Sequence, residues 1–344
     1  MSRVAGMMNG MTRLGLFVMW LLHWLPLPVQ AAIGGGLGRL LYLFGRERRQ
    51  VALTNLRLCF PGLSETERIG IARRLFGFVA RSFLERGLLW WASEARLRRL
   101  IRLEGKQHLD AARAERPVLL LVPHFVGLDV AVTRLSMDYD MAGIYSRQKN
   151  PVFDAALYKG RKRFSNPVML SRQDSLRKGI KAMKAGMPFF YLPDMDYGKH
   201  DTIFVPFFGV PAATITGLSR LASMTGAAVV PVIARMDNDG YRVEVGAPWA
   251  DFPSGTRAED VRKPAVKESG ISSRTLRATV AMSFSLDNKI ARAAVQGAVT
   301  RSSKNHMAAS RTFLTCTNPY KPAPNIIPKA IISAALIMPR VART

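Results

Sequence analysis

Pro117-Val118-Leu119-Leu120-Leu121-Val122 carries no polar side chain, and it opens directly into Pro123-His124-Phe125-Val126-Gly127-Leu128-Asp129. An apolar run this short suits a β-strand with both faces covered, as in a parallel sheet between helical layers. The pattern repeats downstream. Gly127–Ser136 has helical spacing, Met141–Tyr145 reads as a second strand, and Asn150–Phe164 and Gln173–Ala185 read as helices. Pro188–Leu192 is another strand, and Phe204–Phe208 is a candidate for one more. Thr214–Thr225 then reads as a helix, Ala227–Ala234 as a strand and Tyr241–Val245 as the last strand. Strands alternating with helices predict an α/β domain with a mostly parallel sheet flanked by helices.

His124 leaves the strand end, and Asp129 follows five residues later at the start of the next helix. Strand ends that open into helices are where α/β sheets place reactive groups. A carboxylate on one imidazole nitrogen would hold the tautomer and leave the other nitrogen free to take a proton from a hydroxyl. The plain alternative is a structural histidine and a helix-capping aspartate, and spacing alone does not choose between them. Further on, Tyr145-Ser146-Arg147-Gln148-Lys149-Asn150 leads to Arg161-Lys162-Arg163. A fixed guanidinium there could bind an anionic headgroup or an oxyanion, or could sit on a solvated basic face. Asp194 and Asp196 follow the Pro188–Leu192 strand. No histidine or third acid stands at a metal-like spacing beside them, so a sugar contact or loop capping is favoured over a metal. Phe204–Gly209 is bulky and apolar, fit for an acyl groove or for a core strand.

Upstream, Leu14–Gly38 holds no charged residue and is bracketed by Arg13 and Arg39. It reads as a membrane anchor or interfacial helix, a cleaved signal, or a buried core helix; Pro26 and Pro28 interrupt it and spoil its second half as a straight span. If it anchors, Arg46, Arg48 and Arg49 place the bulk of the chain on the cytoplasmic side. Residues 62–92 read as a long helix, begun by a capping box of Ser64 and Glu67 and ending in Leu88-Leu89-Trp90-Trp91, a packed end or one resting among headgroups.

The chain has 344 residues and a net charge of +26. That charge attracts nucleic acid, anionic lipid or an acidic protein. Base-stacking aromatics are nearly absent from the basic tail, which argues against nucleic acid. Residues 257–344 carry 15 basic and 4 acidic residues. The expected division is an anchor or interfacial segment over residues 1–45, an α/β domain over 46–254, and a basic, poorly ordered tail over 255–344. Two cysteines, Cys59 and Cys316, build neither a metal cluster nor a disulfide framework.

Taken in order, RRQVALTNLRLCFPGLSETER, PHFVGLD, YSRQKNPVFD, GRKRF, LPDMDYG, IFVPFFGVPAAT and GAAVVPVIAR resemble the late acyltransferases of lipid A biosynthesis over about residues 14–250. The resemblance implies a glycerolipid-acyltransferase-like fold at the cytoplasmic face of the inner membrane, in contact with its lipids. It implies transfer of an acyl chain from acyl carrier protein to a hydroxyacyl chain of a lipid A precursor, without metal or organic cofactor. A lysophospholipid or an aminolipid is the alternative acceptor. By analogy His124 and Asp129 form the catalytic pair, and Arg161 is a further active-site residue. Arg147, Asn150, Arg163, Asp194 and Asp196 are candidates for substrate binding. After about Ser254 the chain departs from the family's aromatic–His–Arg–Phe–Lys type ending. That change reads as an altered frame or a recombined end, which would leave an inactive lipid-binding remnant if a needed element is lost.

Overall fold

The computed structural model describes residues 2–171, 176–192, 202–207, 210–250 and 252–253. The expectations placed on 173–175, Asp194, Asp196, Phe208 and the 255–344 tail lie outside them. In chain order the elements are α1 (Ser2–Leu22), α2 (Leu27–Phe44), α3 (Arg46–Cys59), α4 (Glu65–Trp91), α5 (Glu94–Leu100), β1 (Ile101–Glu104), α6 (Lys106–Glu115), β2 (Val118–Leu121), α7 (Leu128–Ser136) and β3 (Ala142–Ile144). There follow α8 (Pro151–Arg161), β4 (Val168–Leu170), α9 (Leu176–Lys184), β5 (Phe189–Tyr191), β6 (Thr202–Phe207), β7 (Val210–Ile215), α10 (Gly217–Thr225), β8 (Ala228–Met236) and β9 (Tyr241–Val245).

Seven strands form one sheet in the order β1-β9-β8-β2-β5-β3-β4. Every pairing is parallel except β8 with β9, which run antiparallel. The apolar run that predicted a doubly covered strand is β2, buried at all four residues. Its side chains alternate between two cores. Val118 and Leu120 join one core with Val130, Ala131 and Leu135 of α7 and Leu157 of α8. Leu119 and Leu121 join the other with Ala182 and Met183 of α9 and Leu218, Leu221 and Ala222 of α10. Period-two alternation between two covered faces explains why the strand shows no polar positions.

The same assignment locates a crevice. β2 and β5 are neighbours, yet the helix after β2 packs on one face and the helix after the β6–β7 hairpin that follows β5 packs on the other. Chains leaving adjacent parallel strands towards opposite faces open a cleft at the strand carboxyl ends.

The N-terminal apolar stretch is two helices, not one run weakened by proline. Pro26 is the N-cap of α2 and Pro28 lies in its first turn. Proline is tolerated there because the first turn's N–H groups lack intrahelical partners anyway. Here, then, the prolines start a helix rather than spoil one. Both helices pack on α4. A side-chain carbon on Gly38 would lie 2.4 Å from the Gly77 Cα, so α2 and α4 meet backbone to backbone. Their outer surfaces stay apolar and exposed: Leu14, Phe17 and Trp20 on α1, Trp24 after it, and Leu40, Leu43 and Phe44 at the end of α2. Among the described helices, α2 alone is long and apolar enough to cross a membrane.

The Ser64–Glu67 capping box is present in full at the start of α4. At the other end Leu88, Leu89 and Trp90 are buried, so this terminus is a packed one. Some expectations need correction. Thr214 and Ile215 belong to β7, not to the following helix, because they pair with Ile203 and Thr202 in an antiparallel hairpin. The helix starts only at Gly217. The sequence reading also lacks β1 and β4, the two sheet edges: β1 mixes apolar and charged residues, and β4 is a bare three-residue Val-Met-Leu run.

Candidate functional site

His124 sits in the loop between β2 and α7. That loop is tightly folded: Val122 N–H extends the β2–β5 pairing by donating to Tyr191 O (3.0 Å), and Leu128 N–H donates to Phe125 O (2.9 Å). Within Pro123–Gly127 every residue is buried except His124, which is partly exposed. The loop thus places one polar side chain at the cleft and hides its neighbours. α7 starts immediately afterwards, with the Gly127 carbonyl accepting from Val130 and Ala131 N–H.

Asp129 lies in the first turn of α7, where a helix favours negative charge. Its carboxylate is held from two sides. Arg86 Nε of α4 donates to Oδ2 at 2.7 Å, and Arg161 Nη2 of α8 donates to Oδ1 at 3.1 Å. The side chains of Arg86, Asp129 and Arg161 are 12%, 15% and 27% exposed. Burial pushes the Asp129 carboxyl up, but the two guanidinium groups outweigh it and hold the group well below the usual carboxylate range. Arg161 stands in the last turn of α8, where positive charge complements the helix carbonyls.

α8 is itself pinned to the end of β3. Tyr145 OH donates to Asp154 Oδ1 (2.6 Å), and Gln148 N–H donates to the same oxygen (2.7 Å). The Arg161 guanidinium carbon is 5.7 Å from the centre of the Tyr145 ring. Among the described residues Arg161 Nε is buried without a hydrogen-bond partner.

The remaining candidates are placed differently. Arg147 is exposed beyond β3. Asn150 caps α8, its Oδ1 accepting from Val152 and Phe153 N–H at 3.0 Å each, while its Nδ2 reaches Asn9 Oδ1 of α1 at 3.3 Å. Arg163 donates to the carbonyls of Leu89 (3.0 Å) and Ala92, closing the end of α4. The structure therefore brings together Asp129, Arg161 and Arg86, with His124 one loop away. Arg86 was not singled out from the sequence. Its signal is a charged pair, Glu85-Arg86, which with Arg81 interrupts the mostly apolar second half of a long helix. Among the described residues no group of three or more His, Cys, Asp or Glu side chains could hold a metal ion.

Comparison with known proteins places relatives over most of the chain. The family profile described as bacterial lipid A biosynthesis acyltransferase matches residues 4–265. The lipid A biosynthesis lauroyltransferase of Escherichia coli K12 is 39% identical over 232 residues, 67% of this chain and 75% of the relative. A lipid A biosynthesis acyltransferase of Haemophilus influenzae is 35% identical over 237 residues, 66% of this chain and 74% of the relative. The lipid A biosynthesis palmitoleoyltransferase of Escherichia coli K12 is 31% identical over 248 residues, 71% of this chain and 80% of the relative. A mostly parallel sheet flanked by helices, and a family match over most of the chain, lead to one conclusion: the protein belongs to the bacterial lipid A biosynthesis acyltransferases.

Proposed function

We propose that the protein transfers a fatty acyl chain from the thioester of acyl carrier protein to the hydroxyl of a hydroxyacyl chain on a lipid A precursor. The observation that carries this reading is the partly exposed His124 at the β2–β5 cleft, followed five residues later by an aspartate that two arginines hold in its charged form. His124 takes the proton of the acceptor hydroxyl as its oxygen attacks the thioester carbonyl. A tetrahedral oxyanion forms. It collapses by breaking the carbon–sulfur bond, and the imidazolium returns the proton to the leaving thiolate. The products are an ester and a free thiol, with no net change in protons.

Asp129 orients His124 and stabilises the imidazolium. Its two arginines leave capacity for this, since each carboxylate oxygen has two lone pairs and one guanidinium bond apiece. Arg161, a partly exposed guanidinium beside Asp129, is suited to the developing oxyanion or to substrate phosphate. Arg147, Arg163, Asp194 and Asp196 remain candidates for holding the acceptor, and Asn150 for shaping the loop beside it.

The apolar outer surfaces of α1 and α2 seat the enzyme in the inner membrane. Arg46, Arg48 and Arg49 directly follow α2, which favours the cytoplasmic face. Acyl carrier protein is acidic and the lipid headgroup is anionic, so a chain of net charge +26 suits both partners.

The test is acyl transfer by the purified full chain, using acyl carrier protein thioesters of several chain lengths and a lipid A precursor as acceptor. Ester formation with loss of the free hydroxyl is expected. Transfer to a lysophospholipid or an aminolipid with none to the precursor would reassign the acceptor. No transfer to any acceptor would refute the enzymatic reading.

A further inference from the structure

We propose that Arg86 is a positioning residue for the transfer reaction, holding Asp129 in register with His124 without touching substrate. The inference rests on the function proposed above and names the group that sets its geometry.

Asp129 has two cationic partners of different character. Arg161 lies in the final turn of α8, is the more exposed of the two, and keeps a donor to spare. Arg86 comes from α4 and makes the shorter contact, through Nε rather than through a terminal nitrogen. Nε is the guanidinium nitrogen bonded to the side-chain methylene, so fewer free torsions separate it from the backbone than separate the terminal nitrogens. The Arg86 guanidinium also lies 4.6 Å from the Phe83 ring centre, one turn back on α4.

The α4 turn that carries Arg86 is clamped on both sides. Against Gly87, a side-chain carbon would meet the Met19 carbonyl oxygen at 2.3 Å, so α1 rests directly on the α4 backbone there. On the sheet side, Arg81 Nε donates to Glu85 Oε1 (2.7 Å), Arg81 Nη2 to Asp237 O (2.7 Å), and Tyr241 OH to Glu85 Oε2 (2.7 Å). These bonds fasten α4 to the β8–β9 hairpin. The fastened helix gives Arg86 a fixed origin, and Arg86 passes that position to Asp129. Small displacements of a catalytic group lower rates steeply, on the order of 10²-fold for 1 Å, so a rigid carboxylate matters even where its charge alone would survive.

The test is a double-mutant cycle on the full chain in detergent, with Arg86→Gln and Asp129→Asn alone and together, and Arg86→Lys as the conservative variant. Acyl transfer and thermal unfolding are measured on each. For Arg86→Gln the expected result is a kcat lower by about 10²-fold with KM for both substrates within about threefold. In the Asp129→Asn background the same change should lower kcat no further. Arg86→Lys should recover only a minor part, because an ammonium restores charge but not the planar contact. Wild-type kcat in Arg86→Gln would overturn the proposal. So would rate losses that multiply in the double variant, which would show Arg86 acting elsewhere. Should Arg86→Gln fail to fold, the cycle is run with Arg86→Lys on the same criteria. A wild-type protein that transfers no acyl chain refutes the function itself and with it this role, a result distinct from an active wild type with an unaffected Arg86 variant.

Discussion

Helix α4 carries two ion clusters within six residues of each other, and they differ in kind. Arg81 and Glu85 are 5% and 2% exposed, and the described bonds tie them to each other, to Tyr241, to Asn238 and to the Asp237 carbonyl. Arg86, Asp129 and Arg161 are more open, stand at the carboxyl ends of the sheet, and include a buried Nε without a partner. The first cluster is closed by the fold and holds elements together. The second is left incomplete at a cleft. Charged residues in an apolar helix are therefore not a functional signal in themselves. What separates the two is whether the fold uses up their hydrogen-bonding capacity.

The contrast can be broken most directly at its two ends. His124→Ala should lower kcat by on the order of 10³-fold, within the range for removing a general base, while the melting temperature stays within about 2 °C. A rate near wild type in purified enzyme would dissolve the functional half of the comparison. Arg81→Met should act the opposite way. It strands the Glu85 carboxylate in the core, and removing one partner of a buried pair costs about 3–5 kcal/mol. Chemical denaturation should show that loss, while the turnover of the remaining folded enzyme should fall less than in Arg86→Gln, because Met19 against Gly87 still holds the turn that carries Arg86. If turnover fell while stability held, the Arg81 cluster would belong to the site.

A smaller effect is expected where α2 meets α4. Gly38→Val would drive a side chain into the Gly77 backbone, and overpacking of this sort costs about 1–3 kcal/mol. The measurement is the denaturation midpoint. An unchanged midpoint would mean that the two helices do not meet as closely as the structure places them.

The smallest effect concerns pH. Asp129's carboxyl is lowered on folding, so its contribution to stability is complete above the unfolded carboxyl value of roughly 4 and is lost only as pH falls through the folded value beneath it. The stability difference between wild type and Asp129→Asn should therefore be flat, within about 0.5 kcal/mol, between pH 5 and pH 8. A wild-type stability that rises relative to Asp129→Asn on going from pH 8 to pH 5 would show that the carboxyl takes up a proton on folding, so that the arginines do not hold it charged, and would weaken the role given to Arg86.

Read alone, the sequence determined whatever rests on local pattern. The apolar run over 117–122 could only be covered on both faces, and the Ser64–Glu67 pair could only start a helix there, because periodicity and capping act within a few residues. The placing of His124 at a strand end follows from the same run. The family was legible too, since its motifs are ordered blocks of contiguous sequence. Tertiary structure alone decided the strand order, the hairpin that takes Thr214 from the following helix, and the turn of Pro26 and Pro28 from interruption to helix start. It also decided which charges meet. Arg86 reaches Asp129 across 43 positions of chain, and Arg161 reaches it across 32. Such contacts leave no periodic trace, because they depend on how layers stack and not on which residues adjoin along the chain.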